Sequence, residues 1–583
     1  MIRHRNYRQG SLIDPWGDLG PKRRQLLENS WAGLFRQEIL PELPVAQLAL
    51  HFRADFGRPA KELHTALGVL VLQQMHDLTD LETVNQLAFN QQWHYALDIP
   101  SESDAAKYMC PKTLWSMRKK VTDQELDTIL FQQVAHKLAQ VFEVDTKKQR
   151  LDSVHLKSNM RRLGRLGILS KCIHRLLVNL KRQHPELFAG LEPELVARYF
   201  TKKALACFSQ VKPSASEKTL AAVAQEGFGL LQRFADHPQV RGLLSYRLLQ
   251  RAINDHCEVK QPGANAPVEI TVKPARQVSR ESLQNPSDPE AAYSSHKGQG
   301  YQAQVMETFG DAADPQVKAR TLNLITHVAV APASESDSRA LLPALNDTRA
   351  RDLGPQEVLA DTAYGGDDNC RQAAVLGVEV VAPAPGLPPS PGLSLADFQM
   401  SPAGRVLACP QGEAPRSWKY RKHRYQVTFS SAKCNACPEN PRCPVKPAKK
   451  YHYLSYYAKA GRVAARRAYQ QTAEFRDRYR WRAGIEGAMS EYDRLTGVKR
   501  LRVRGLKAVR FCVTLKAVGV NLFRATAVRR ARSRASNPTP GSPKGFSGLF
   551  SRVKEHIRAL GAALIDCLIP DAYYGPIRLK MAA

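Results

Sequence analysis

Three carboxylates stand out by type and setting in this 583-residue chain. Asp152 lies within a strand-like run, RLDSVHLKSN, and Asp361 closes another, VLADTAYGG. Glu486 comes later, in the helical stretch YRWRAGIEGAMS. Alone, an Asp at a strand end is most often a cap or turn residue. As a set, acids from two strands and a helix can converge on one sheet edge and offer hard oxygen ligands to Mg²⁺ or Mn²⁺. Two such ions, about 4 Å apart, activate an attacking oxygen and stabilise a leaving one in phosphodiester cleavage.

Neighbouring groups compete less well. Asp367 and Asp368 follow Gly365-Gly366 and read as a helix cap. Glu491 and Asp493 read as solvated residues beside Glu486. Strand alternation sets His155 and Lys157 on the face opposite Asp152, so His155 reads as structural. A different chemistry belongs to Cys409, Cys434, Cys437 and Cys443, four thiols within 35 residues that suit tetrahedral Zn²⁺. The five residues after the Cys-x2-Cys pair are not zinc-ribbon spacing, and a redox pair or unligated thiols are the alternatives. Soft thiolates and hard carboxylates call for different ions, so any zinc here is structural.

These groups need elements to position them. Residues 1 to about 145 have a helical pattern. An amphipathic stretch with Leu63, Ala66, Leu67, Leu70 and Val71 follows the start signal Gly57-Arg58-Pro59. A second, LETVNQLAFN, comes after a polar break, and a third starts at Thr113 with Arg118–Lys120 behind it. Short helices ending on a basic one fit a helix-turn-helix DNA reader or a plain bundle. Then come a strand (Gln149–Leu156), a helical insertion (160–258) and a loop-like Pro-rich segment (Gln261–Ser295). Alternation predicts strands at Gly300–Thr308 and Leu322–Ala331, a helix at Ser336–Leu345 with Ser336 or Asp337 as its cap, and a strand at Glu357–Asp361. A helix at Asp368–Leu376 and a strand at Val378–Ala382 complete one mixed sheet covered by helices. A linker (Ala382–Gly392) leads to the cysteines and to helices at Ala473–Leu495 and Leu506–Ala527.

Lys and Arg number 85 against 54 Asp and Glu, a formal charge of +31 that favours a polyanionic partner. With 43% hydrophobic residues, wholesale disorder is excluded. The longest apolar runs, such as Leu67–Leu72, fall short of the roughly 20 residues of a membrane span. The first twenty residues have no apolar signal region, so a cytoplasmic protein is expected. From Arg494 to Lys554 there are 16 Lys or Arg and no acid, a run suited to DNA backbone.

The motifs FRADFGRPAKELHTALGVLVLQQM, RLDSVHLKSNM, NPSDPEAAYSSHKGQGYQAQV, VLADTAYGG, YRWRAGIEGAMS and LTGVKRLRVRG together resemble the Asp-Asp-Glu transposases of bacterial insertion sequences. They fit the branch with an InsH-like helical N-terminal domain, in the group numbered eleven-eighty-two. The resemblance implies an α+β chain with an RNase H-like core, a helical N-terminal domain, a helical insertion and a small Cys-rich insert. It divides as 1–145 (DNA-binding helices), 146–159 (first core strand), 160–295 (insertion and linker), 296–400 (rest of the core), 401–450 (Cys-rich insert), 451–530 (core helices) and 531–583 (basic flexible tail and short helix). It also implies Asp152, Asp361 and Glu486 as the triad holding two Mg²⁺ or Mn²⁺ ions. Tyr479 and Arg482 match the family's Tyr-x2-Arg-x3-Glu pattern and would hold phosphates near the cleaved end. Some relatives have a basic residue seven positions after the Glu; here that position is Asp493, which leaves Arg494 as the candidate. Lys499, Arg500, Arg502 and Arg504 complete the DNA-binding set. The implied partners are terminal inverted repeats and target DNA, bound by a homodimer. Rival readings are an RNase H-like nuclease without strand transfer and an inactive, transposase-derived DNA-binding regulator.

Overall fold

Side-chain caps open the first two of the labelled N-terminal helices. The Glu62 carboxylate accepts the His64 and Thr65 amides at the start of α1 (Leu63–Met75). Thr79 and Glu82 form a reciprocal capping box at the start of α2 (Asp80–Phe89). Helix α3 (Pro111–Asp123) starts at Pro111 rather than Thr113, because proline suits a first helical turn, and α4 (Leu126–Val141) follows. The computed structural model describes residues 14–53, 60–260, 269–386 and 392–536, so the Gly57-Arg58-Pro59 signal lies outside the described residues. Described residues up to Val528 belong to one compact unit and those from Arg529 to a second.

Helix α1 is buried along all 13 residues, so its reading as amphipathic is corrected. A helix apolar on every side belongs inside the core. The basic run Arg118–Lys120 of α3 is engaged within the fold. Arg118 pairs with Asp80, Lys119 with Asp123, and Lys120 lies 4.9 Å over the Phe52 ring.

Strand β1 (Lys148–Lys157) carries Val154 and Leu156 into a core shared with the N-terminal helices, while Leu151 faces a second core on the other side. The insertion after it forms helices α5 (Arg165–Gln183), α6 (Pro213–Arg233) and α7 (Leu244–His256) around a hydrophobic cluster of their own. The segment expected to be loop-like holds two short strands, Glu269–Val272 and β2 (Ala292–Ser294), because each finds an antiparallel partner. Strands β3 (Gly298–Thr308), β4 (Ile325–Pro332), β5 (Glu357–Ala360) and β6 (Glu379–Val381) complete a six-stranded sheet. Helix α8 (Leu341–Arg349) lies between β4 and β5 in the chain, and α9 (Asp367–Val375) between β5 and β6. Strand order is β2-β3-β1-β5-β6, with β4 also on β3. The fold is mixed α+β, with a helical N-terminal region and a sheet core.

The register brings two of the candidate acids together. Strand β1 is parallel to β5 with Leu151 opposite Ala360, so Asp152 and Asp361 come next on adjacent strands. On its other side β1 is antiparallel to β3, with Asp152 opposite Val305.

The cysteine-rich segment forms a second sheet from β7 (Ser417–Arg421), β8 (Arg424–Phe429) and β9 (His452–Tyr457). Helix α10 (Ala458–Gln470) continues directly from β9. The single helix expected over Ala473–Leu495 is corrected to α11 (Ala473–Tyr479), a 3-10 turn (Arg480–Ala483) and α12 (Gly484–Thr496). Its cause is tertiary. The buried Arg150 side chain takes the Trp481 carbonyl at 2.9 Å, and a Cβ on Gly484 would lie 1.9 Å from Arg150 Nη1.

Helix α13 (Leu506–Ser536) runs past the expected end at Ala527 and takes in the first residues assigned to the flexible tail; the rest of that tail lies outside the described residues. It approaches α1 so closely that a Cβ on Gly519 would lie 2.9 Å from Met75 Cα. By length and composition α13 could cross a membrane, which corrects the expectation from contiguous apolar runs. Lys516 interrupts the run in sequence, yet it is itself buried, pairing with Asp77 at 2.7 Å. Since 83% of the apolar window is buried inside the fold, α13 acts here as a core helix.

Candidate active site

Only 15% of the Asp152 side chain is exposed. Its Oδ1 accepts the Ser153 amide at 2.8 Å, and its Oδ2 accepts Arg482 Nη2 at 2.8 Å. The other Arg482 nitrogen, Nη1, donates to Glu486 Oε1 at 3.0 Å, one helical turn on. One guanidinium therefore forks between an acid of the sheet and an acid of α12. Asp361 leaves β5 beside Asp152, and its Oδ1 accepts the Ala363 amide at 2.8 Å.

Tyr479 registers the convergence of all three. Burial pushes its hydroxyl above the usual tyrosine range; the Asp361, Asp152 and Glu486 charges push the same way, against Arg482. Burial likewise raises the Asp152 carboxyl. The Asp361 and Asp337 charges add to the rise, while the Ser153 amide and Arg482 oppose it.

Anchors outside the acids set the geometry. Arg478 ties α11 to Glu357 at 2.5 Å and Glu379 at 2.6 Å, at the starts of β5 and β6. Tyr479 stacks on Phe475 at 5.2 Å. Glu307 of β3 is fully buried and accepts Arg150 at 2.6 Å and Arg524 at 2.7 Å. Through the Trp481 carbonyl, Arg150 then fixes the turn that carries Arg482.

Sequence reasoning gave Asp337 only a capping role. In the fold it receives Gln304 Nε2 at 2.7 Å and Ser153 Oγ at 3.2 Å, and Gln304 in turn accepts the hydroxyl of buried Tyr364. The chain from Asp337 to Tyr364 links β1 to the turn after Asp361. Nothing local in SESDS signals it, because the partners lie over 30 residues away in sequence.

Other expected residues fall as follows. Arg494 is exposed and lines an open groove with Arg150, Glu491 and Arg524. Lys499 pairs with Asp493 at 4.0 Å, and Asp493 also accepts the Lys499 amide, so this acid caps a loop rather than standing solvated. Glu491 pairs with Arg524 at 2.7 Å, another correction to the solvated reading. Arg500 is exposed, Arg504 lies 3.3 Å from the Met160 sulfur, and Arg502 is engaged by Asp77 at 2.9 Å. Asp367 is no cap: it is buried and pairs with Arg462 of α10 at 2.7 Å, which leaves Gly366 at the cap position. Among the described residues His155 has no hydrogen-bond partner on either ring nitrogen, and burial lowers its pKa to about 4, so it stays neutral.

Residues 408–526 match the transposase DDE domain, and residues 34–120 match the transposase domain (DUF772). The matches support a DDE transposase of an insertion sequence. No curated protein matches the chain. The first match spans the cysteines, Tyr479, Arg482 and Glu486; the second spans α1 to most of α3. A DDE domain implies a nuclease or transposition enzyme, and such domains generally use divalent metal ions.

Among the described residues, no group of three or more His, Cys, Asp or Glu stands at metal-ligand spacing. Instead, Arg482 holds two of the three acids. By donor chemistry the three acids suit a hard dication, since all are carboxylates. The four cysteines and His452 line one cavity of about 210 Å³.

The role of Arg482 has a measurable sign. A carboxylate must be ionised to hold a cation, so with Asp152 as a ligand activity is expected to fall as pH drops through its raised pKa. In Arg482→Ala the charge that opposes this rise is gone. The acid limb of the cleavage rate is then expected to move to higher pH, and an unmoved limb would show that Arg482 does not act on Asp152.

Proposed function

We propose that this chain binds the ends of an insertion sequence and catalyses metal-dependent strand cleavage and strand transfer, on an RNase H-like core. The observation that carries the reading is the Arg482 fork between Asp152 and Glu486, with Asp361 on the adjacent strand. Acids from β1, the end of β5 and α12 thereby share one corner, the arrangement that phosphodiester chemistry needs. Asp152, Asp361 and Glu486 would hold Mg²⁺ or Mn²⁺, which when bound supplies Lewis acidity at the scissile phosphate. With the acids so occupied, the Arg482 guanidinium is free for a phosphate oxygen, and the Tyr479 hydroxyl, kept protonated, donates beside it. Much of the rate would come from positioning water, and then the 3′-hydroxyl, in line with the phosphorus. Arg494, Lys499, Arg500 and Arg504 extend the DNA-facing surface, and a homodimer would pair two ends.

The test uses purified protein, labelled duplex carrying the element's flanking sequence, and Mg²⁺. The expected result is end cleavage followed by joining, both abolished by chelation. Cleavage without joining would favour a nuclease. Binding without cleavage, beside an active control, would leave a DNA-binding regulator.

The cysteine cavity is the proposed seat of one structural zinc, held by Cys409, Cys434, Cys437 and Cys443. Elemental analysis is expected to find one zinc per chain, lost in Cys434→Ser/Cys437→Ser. A metal-free wild type that melts normally would remove zinc from the picture.

A further inference from the structure

The sheet of β7, β8 and β9 has two unlike faces. One face is apolar: Val427, Leu454 and Tyr456 are buried against Phe398. The opposite face is uncovered. Lys419 and Arg421 of β7 stand exposed beside Gln426 and Arg424 of β8, and the row continues into Tyr457 of β9. Arg424 lies 4.3 Å over the Tyr457 ring, which is 55% exposed.

Charge makes this face unusual. The segment 414–438 has six Lys or Arg and no Asp or Glu. Among the described residues, no carboxylate pairs with Lys419, Arg421 or Arg424, whereas Lys433 of the same segment is held by Glu413 at 2.6 Å. The β7–β8 turn adds a second observation. Lys422 and His423 both take positive φ, 49° and 62°, where a two-residue hairpin ordinarily uses Asn or Gly. Two cationic or polar long side chains are thus kept at the tip despite local strain. Nor is the sheet a detached appendage. Its last strand runs into α10, whose Arg462 and Arg466 grip Asp367 and the Gly365 carbonyl, just after Asp361.

We propose that this uncovered face is a docking surface for the phosphate backbone of duplex DNA, with Lys419, Arg421 and Arg424 as the contacts. A second copy of the chain is the less favoured occupant, because a symmetric pairing of this face would set like charges against each other. Backbone contacts of this kind fix register on the duplex and carry no sequence preference. Through α10 they would hold the duplex in fixed relation to the turn after Asp361. The inference rests on the DNA-directed reading above and names a surface that reading does not include.

The experiment measures binding of the full chain to a duplex of arbitrary sequence over a salt series. Lys419→Gln/Arg421→Gln/Arg424→Gln is compared with wild type and with the charge-keeping Lys419→Arg/Arg421→Lys/Arg424→Lys. At about 0.9 per phosphate, the triple Gln variant is expected to lose about 2–3 from the log–log salt slope and to bind about 10- to 100-fold more weakly at low salt. The charge-keeping variant retains the slope. Circular dichroism and melting confirm the fold, and Arg421→Gln alone, with a loss of about 1 in slope, serves if the triple variant does not fold. An unchanged slope in a folded Gln variant overturns the proposal, as does a change in oligomeric state with DNA binding intact. A wild type that binds no duplex sinks the DNA-directed reading itself.

Discussion

Asp361→Asn is expected to bind end DNA within about twofold of wild type and to cleave it at least about 10³-fold more slowly. Several kcal/mol of charge stabilisation rest on a carboxylate of this kind, and each 1.4 kcal/mol is about tenfold in rate. The fold has no reason to fail. Asp361 uses Oδ1 to accept the Ala363 amide, a role that the Asn oxygen retains. Its charge also raises the neighbouring Asp152 carboxyl, so the substitution relieves a repulsion. Melting should therefore not fall, and the acid limb of any residual activity should move to lower pH, opposite to Arg482→Ala. End cleavage, filter binding and a melting curve on one preparation check all three. Cleavage at the wild-type rate would place the chemistry elsewhere and sink the triad.

Which parts of this site are legible in sequence follows from how local their causes are. Asp152 and Asp361 can be placed at strands because alternation needs only a few neighbours on either side. The Arg482–Glu486 pair is equally local, one helical turn apart. The other arm of Arg482 reaches Asp152 across 330 residues, and no spacing rule reports that contact. The same holds for the helix break at Arg480–Ala483. Its residues are ordinary helix formers, and the break comes from a buried arginine on β1 that takes the Trp481 carbonyl and fills the space at Gly484. Asp337 looked like a cap because its neighbours are Ser and Glu, yet its hydrogen bonds come from β1 and β3. Burial is the third kind of missing information. Helix α1 and helix α13 are both apolar in composition, and only their mutual packing shows that they form the floor beneath α12 and the sheet.

Glu307→Ala is expected to destabilise the protein by about 3–5 kcal/mol, the usual cost of breaking a buried ion pair on one side. Glu307 is fully buried and serves two guanidiniums, Arg150 at 2.6 Å and Arg524 at 2.7 Å, with only 8% and 12% of their side chains exposed. Burial disfavours the Arg524 charge, and the Glu307 and Glu491 charges outweigh that cost. Without Glu307 both cations lose a partner in a region that water reaches poorly. Denaturant midpoints measure the loss. Stability and positioning can then be separated with Glu307→Leu/Arg150→Met/Arg524→Met, which removes all three charges and fills the space with apolar groups. Such replacements are often neutral or stabilising, so this variant should regain most of the stability. It should not regain cleavage, because Arg150 no longer holds the Trp481 carbonyl and the Arg482 turn is unanchored. Recovery of both stability and cleavage would mean that the network stabilises the core and has no hand in the site.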